Sequence, residues 1–231
     1  MRGLLILVVV LAIGLVVGDR VAVVMAQNEI GRKIAADYQL AQRPSVDIRG
    51  FPFLTQAVDG KYRDIDIRVG EWSEQKVTVR NLDVKLADVS APLSDLLNNR
   101  TSNLVAATAT ATAVVPYDTV QGFAPSGVES MSAAPDGLRV TGTFSMEGIP
   151  VPGTVVVTVA PVEDGIEVTP VSVQSAAGGP TISVAMLRQT LTFTVPLQRL
   201  PLGARLTSIQ PGPDGLHVTA VAHDVRFSDL K

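Results

Sequence analysis

Hydrophobic and polar positions change period along this 231-residue chain. Gly3 to Gly18 is apolar without a break and without a polar face. From Asp19 to Tyr38 the pattern becomes amphipathic. Val23, Gln27, Ile30 and Ile34 fall near one stripe, and Glu29, Arg32, Lys33 and Asp37 cover the other faces, which predicts a helix. It follows the apolar run directly, so the two can form one long helix. Pro44 ends the helical pattern. Beyond it the period is two. Val46 and Ile48 share a face; Ile65, Ile67 and Val69 share another, opposed by Asp64, Asp66 and Arg68. Val77 and Val79 alternate, then Leu82, Val84 and Leu86, with a slip of phase at Arg80–Asn81 that predicts a β-bulge or a sharp bend.

Ser90 to Arg100 reads as a short helix capped by Ser90. The next strand, "LVAATATATAVV", has Val105, Ala107, Ala109, Ala111, Ala113 and Val115 on one face and Ala106, Thr108, Thr110 and Thr112 on the other. An apolar face made of alanines leaves volume unfilled, and protein interiors pack at crystal density. A helix lying close would fill it, and so would a ligand chain. Tyr117 to Phe123 predicts another short helix. Three copies of D-G-apolar-x-V-T, at Asp136, Asp164 and Asp214, predict three antiparallel hairpins, because Gly supplies the positive φ of a tight turn. The prolines of "GIPVPG", "GGPTI" and "RLPLG" break strands or place them at edges. The predicted class is α+β: a mainly antiparallel β domain with a long N-terminal helix and one or two short helices. The predicted organisation is a signal peptide or uncleaved membrane anchor over residues 1–26 and a single domain over 27–231.

The apolar start decides the compartment. At ~1.5 Å per residue Gly3 to Gly18 spans ~24 Å, short of a ~30 Å hydrocarbon core. It fits a signal peptide with Val24-Met25-Ala26 as a loose cleavage site, or an anchor with Asp19 and Arg20 at the outer interface. Either form implies export. Net charge is −3 and the basic residues are scattered, so no nucleic-acid surface is indicated. The chain has no Cys, which removes disulfides, thiolate metal sites and Cys nucleophiles together.

Catalytic constellations are scarce. His217 and His223 share a predicted strand but stand ~20 Å apart along it, too far to ligate one metal. There is no G-x-S-x-G elbow, P-loop or dinucleotide fingerprint. Asp64 and Asp66, beside Arg63 and Arg68, read as a solvated sheet face. No catalytic residue, metal or cofactor is expected. What remains is an exported apolar body with under-filled strand faces, which can hold an acyl chain. The expected lining is Phe51, Phe53, Leu54, Ala107, Ala109, Ala111, Phe193 and Val195. Trp72, in "GEWSEQ", is expected in an exposed polar loop. The alternative is an envelope interaction module with a dry core that recruits an envelope enzyme. The rings of Phe51 and Phe53 in "GFPFLTQ" have three available fates: core packing, the lining of a lipid cavity, or insertion into a bilayer.

The stretch Val46 to Ile67, "VDIRGFPFLTQAVDGKYRDIDI", closely resembles the hallmark of an actinobacterial family of exported envelope proteins, the lipomannan elongation factor A (LmeA)-like family. Gly50, Phe51, Pro52, Phe53, Leu54, Thr55, Gln56, Gly60 and Tyr62 match its pattern, and "LPLGARL…DGLHV", Leu200 to Val218, is similar to a later stretch. The resemblance implies a tubular lipid-binding fold like that of bactericidal/permeability-increasing protein, with a curved sheet around a long helix and an apolar groove. It implies phospholipid binding, phosphatidylinositol species included, at the outer face of the plasma membrane. It also implies support for mannan elongation of lipomannan, with an envelope glycosyltransferase as a partner. It carries no catalytic residues.

Overall fold

Leu, Val, Ile and Ala dominate the first 26 residues with no proline among them, and the backbone answers with one continuous helix, α1 (Arg2–Asp37). This is a computed structural model, and it describes residues 2–74, 77–92, 95, 103–146, 149–163, 165–175, 184–196 and 203–229. The apolar run and the amphipathic stripe are thus one element. The first half of α1 is exposed on all sides, and burial begins at Asp19. From there Asp19 and Val23 are buried and Ala22, Ala26, Ile30 and Ile34 pack beside them. A Cβ on Gly31 would lie 2.8 Å from the Pro44 carbonyl oxygen, so Gly lets the returning chain pass close to the helix.

The strands form two antiparallel sheets, and one of them curls strongly into a half-barrel, in keeping with the expected curved antiparallel architecture. The first contains β1 (Ser45–Arg49), β2 (Lys61–Glu74), β3 (Val77–Ser90), β4 (Val105–Val115), β11 (Gly215–Arg226) and β10 (Arg205–Gly212), in that spatial order. The second contains β5 (Val128–Ala134), β6 (Gly137–Met146), β7 (Ile149–Val162), β8 (Gly165–Ser175) and β9 (Phe193–Pro196). Three short helices lie between strands: α2 (Phe53–Asp59) between β1 and β2, α3 (Tyr117–Gln121) between β4 and β5 where the chain passes to the second sheet, and α4 (Val184–Leu191) between β8 and β9. All three Asp-Gly hairpins form, with Gly137, Gly165 and Gly215 at φ of 141, 156 and 148°. Gly215 is doubly constrained, because a Cβ there would meet the Val115 carbonyl oxygen at 2.3 Å. Pro150 and Pro152 lie in β7 opposite Ser145 and Thr143 of β6.

Two cores result. One joins the sheets: Val79, Val115 and Leu216 of the first meet Leu138, Phe144, Val155 and Ile166 of the second. The other gathers Val23, Val46, Ile48, Phe53, Tyr62, Leu86, Ala106, Ala109, Ala222 and Val225 around the domain end of α1.

The predicted bulge is present. Asn81 takes φ 52° and the β3–β4 register shifts between Arg80 and Asp83. A second irregularity was not legible from alternation. Asp88 and Asp224 both take φ 51°, and the registers place them on either side of Ala107. Asp tolerates the left-handed region better than most residues. On each of the three strands the buried positions here lie three apart, not two: Leu86 and Val89, Ala106 and Ala109, Ala222 and Val225. The sheet flips phase along this line.

Several expectations need correction. Ser90 is the last residue of β3, not a helix cap, and residues 93, 94 and 96–100 of the expected helix lie outside the described residues, as do "GGPTI" and most of "RLPLG". Trp72 belongs to β2 and packs against the inter-sheet core, since β2 runs on through "GEWSE". Asp66 is not solvated. It is buried beneath the guanidinium groups of Arg49 and Arg68, which lie across it from neighbouring positions.

Candidate functional site: an apolar sheet face and the α2 corner

The corner begins where β1 ends. Gly50 takes φ 106°, Pro52 stays extended, and α2 follows for seven residues until Gly60, at φ 64°, closes it with its N–H donating to the Gln56 carbonyl. Phe53 and Ala57 point inward. Phe53 is 7% exposed and its ring stands 6.3 Å from that of Tyr62. Phe51 points the other way and is 60% exposed, with the Arg20 guanidinium 5.2 Å from its ring centroid. Asp19 of α1 ties the corner down: its Oδ1 accepts the Leu54 N–H at 2.8 Å, and its other oxygen pairs with Arg20. A carboxylate is well placed at a helix N-terminus, where backbone donors lack intrahelical partners. The two phenylalanines therefore have different fates, Phe53 as core and Phe51 as surface.

One face of the first sheet is apolar from end to end. On β4 it carries Ala109, Ala111, Ala113 and Val115; on β11, Ala222, Ala220, Val218 and Leu216. Both ends of this face are buried in the two cores. The middle is not. Register aligns Ile67, Val84, Ala111, Ala220 and Leu206 in one row across five strands, β2, β3, β4, β11 and β10. Ala220 is buried, but Ile67, Val84, Ala111 and Leu206 are only half-buried. The next row repeats this with Ala113, Val218 and Ile209, all half-buried. Four strand spacings of ~4.8 Å make the row ~19 Å wide. Ala111 and Ala220 are register neighbours near its centre and form the lowest part of the floor, because neither extends beyond Cβ. Aliphatic floors of this length left partly open are uncommon in a packed interior. Nothing in the row can act as an acid, base or nucleophile. It can desolvate hydrocarbon and nothing else.

The expected lining residues do not come together. Ala109 and Ala111 share the apolar face, Ala109 in the α1-side core and Ala111 at the open centre. Ala107 is exposed on the outer face, which corrects its assignment with them. The phase flip between Asp88 and Asp224 turns it outward. Phe51 and Leu54 are on the outer side of α2, and Phe53 is in the core beneath it. Phe193 and Val195 lie on β9 in the second sheet and belong to the inter-sheet core, Val195 fully buried and Phe193 half-buried. Ile67, Val84, Ala220 and Leu206 were missed as a set. Each sits in a visible alternation, but only the strand order and register place them in one row.

His217 and His223 are both exposed on β11, and His217 is bonded to Asp214 at 2.7 Å. Among the described residues no group of three or more His, Asp or Glu is placed to hold a metal ion.

A long helix, a curled antiparallel sheet and an open aliphatic floor without polar machinery define a body suited to holding apolar ligands. The chain belongs to the LmeA-like phospholipid-binding family, whose family model matches residues 17–221. Comparisons with curated proteins and with solved structures gave no significant match.

Proposed function

We propose that this chain is an exported cell-envelope protein, held at the outer face of the plasma membrane by α1, that seats a phospholipid acyl chain on the Ile67–Val84–Ala111–Ala220–Leu206 row. The observation that carries the reading is the half-open state of an otherwise continuous aliphatic face in a member of a phospholipid-binding family. Each methylene removed from water contributes ~0.8 kcal/mol, so some ten methylenes would offset a large part of the cost of leaving a bilayer. The anchor form is supported by the buried positions of Asp19 and Val23, which cleavage after Ala26 would remove. By length and composition α1 is able to cross a membrane. The likeness of Gly50 to Gln56 to the family hallmark supports the tubular lipid-binding comparison and extends the reading to phosphatidylinositol-type lipids. The same likeness supports a role in assembling a lipomannan-like glycolipid beside an envelope glycosyltransferase.

The test is native mass spectrometry of residues 19–231 after incubation with vesicles of phosphatidylcholine, phosphatidylglycerol or phosphatidylinositol. A one-to-one phospholipid adduct is expected, and the three vesicle types rank the headgroups. A clean apo mass in all three would overturn the reading in favour of a dry-core module that recruits an enzyme.

A further inference from the structure

One exposed flank of α2 is apolar. Phe51, Leu54 and Val58 are 60, 42 and 74% exposed; Leu54 and Val58 lie about 100° round the helix from Phe53 and Ala57, and exposed Thr55 and Asp59 lie beyond them. Three large apolar side chains on one short segment of a soluble surface need an environment. α1 supplies the coordinate that identifies it. Its apolar surface does not end at Gly18, although the charged pair Asp19–Arg20 follows. The Asp19 carboxylate is turned into the domain and neutralised there by Leu54 N–H and Arg20. The Arg20 head in turn lies over the Phe51 ring. Beyond them Val21, Val24 and Met25 are exposed on the side of α1 away from the domain, and polar residues take over that side only at Asn28 and Glu29.

Leu4 to Met25 spans about 32 Å at 1.5 Å per residue, which matches a ~30 Å hydrocarbon core, whereas Gly3 to Gly18 falls short of it. A bilayer placed to cover that length reaches about 9 Å beyond Asp19 along the helix. Asp19 touches the backbone of Leu54, so α2 stands at that same level. Interfacial helices bury their apolar side ~5–10 Å into the boundary between headgroups and acyl chains, and this depth agrees with that. The Arg20 guanidinium, paired with Asp19 and lying over the Phe51 ring, leaves neither charge of that pair bare at this level.

We infer that the Phe51–Leu54–Val58 side of α2 is a membrane-docking foot, inserted in the interfacial layer of the same phospholipid bilayer that α1 crosses. The occupant is the bilayer itself. The inference rests on α1 acting as the anchor. It is independent of where an acyl chain sits on the sheet.

The chain has no Cys, so a single introduced thiol labels one position. The full chain carrying Val58→Cys, labelled with the polarity-sensitive fluorophore NBD, is reconstituted into phosphatidylcholine–phosphatidylglycerol vesicles. Nitroxide lipids labelled near the carbonyl end or near the chain terminus report depth. Asp136→Cys, in the β5–β6 turn of the other sheet, is the reference for solvent, and Val10→Cys is the reference for the span. Leu54→Cys repeats the measurement at a second site of the foot. The expected result is a blue-shifted Val58 label quenched several-fold more than the Asp136 label by the shallow nitroxide, and less by the deep one. If Val58 and Leu54 behave like Asp136 while Val10 is quenched by the deep nitroxide, the span stands and the foot is overturned. If Val10 is unquenched as well, the anchor reading falls and the foot falls with it.

Discussion

The Leu54 backbone N–H donates to Asp19 Oδ1 at 2.8 Å, joining residues 35 apart in sequence. One hydrogen bond thus couples the helix that leaves the domain to the corner that follows β1. Its removal leaves an N-terminal donor of α2 without this acceptor and the Arg20 guanidinium without its partner. Asp19→Ala is expected to lower the thermal midpoint of the chain by a few degrees, and Asp19→Asn, which keeps an acceptor oxygen, to recover most of the loss. Differential scanning calorimetry checks both. Equal midpoints for all three proteins would show that the bond holds nothing in place.

The position of α1 makes truncation informative. A chain starting at Asp19 retains the whole buried stripe, whereas one starting at residue 27 loses Asp19, Ala22, Val23 and Ala26. Burying one valine is worth about 1.5–3 kcal/mol, so the shorter chain is expected to unfold at clearly lower urea. Coincident urea midpoints would favour a cleaved signal peptide over an anchor.

Much of this was legible in the sequence, for physical reasons that differ by element. Asp-Gly turns are local: Gly137, Gly165 and Gly215 need no distant partner to specify a hairpin. The bulge at Asn81 was visible because its effect, a slipped alternation, lies within the same strand. The flip at Asp88, Ala107 and Asp224 was not, because it falls at the Ala106–Ala107 doublet, where two alanines fit either face, and the two aspartates that turn the sheet are on neighbouring strands. Ala107 was misplaced for that reason. The site suffered most, since a row across five strands is a property of register, and register is set by pairings between distant segments. Trp72 was misread because polar neighbours on an alternating strand look like a loop when its inner partners are unknown.

Tyr62 gives a pH prediction. Burial beside Phe53 raises its phenol above the ordinary value near 10, so the folded state holds the proton more tightly than the unfolded chain. The sign follows from linkage. The stabilisation is fully present below the unfolded pKa and is lost as pH rises through the folded one. Tyr62→Phe is expected to move the alkaline unfolding midpoint to higher pH, as followed by circular dichroism. An unchanged or lower midpoint would mean that the Tyr62 hydroxyl does not drive alkaline unfolding.

Ala111 and Ala107 lie four residues apart on β4 and provide an internal comparison for the lipid site. Ala111 is half-buried at the low centre of the apolar row; Ala107 faces solvent on the other side of the phase flip. A phenylalanine at 111 would fill the trough from its floor. Excluding two or three methylenes from it removes about 2 kcal/mol of burial, or roughly thirtyfold in affinity. The same ring at 107 projects from the outer face and displaces nothing from the row. Because the space above Ala111 is partly open, the overpacking cost is expected at the low end of the usual 1–3 kcal/mol, and the chain should still fold. Fluorescent phospholipid uptake is the measurement, with the thermal midpoint recorded on the same samples. Loss of uptake for Ala111→Phe alone, at a near-native midpoint, places the acyl chain on this row. Native uptake for Ala111→Phe puts it elsewhere. Equal loss for both variants would point instead to the stability of β4, whose two faces the substitutions share.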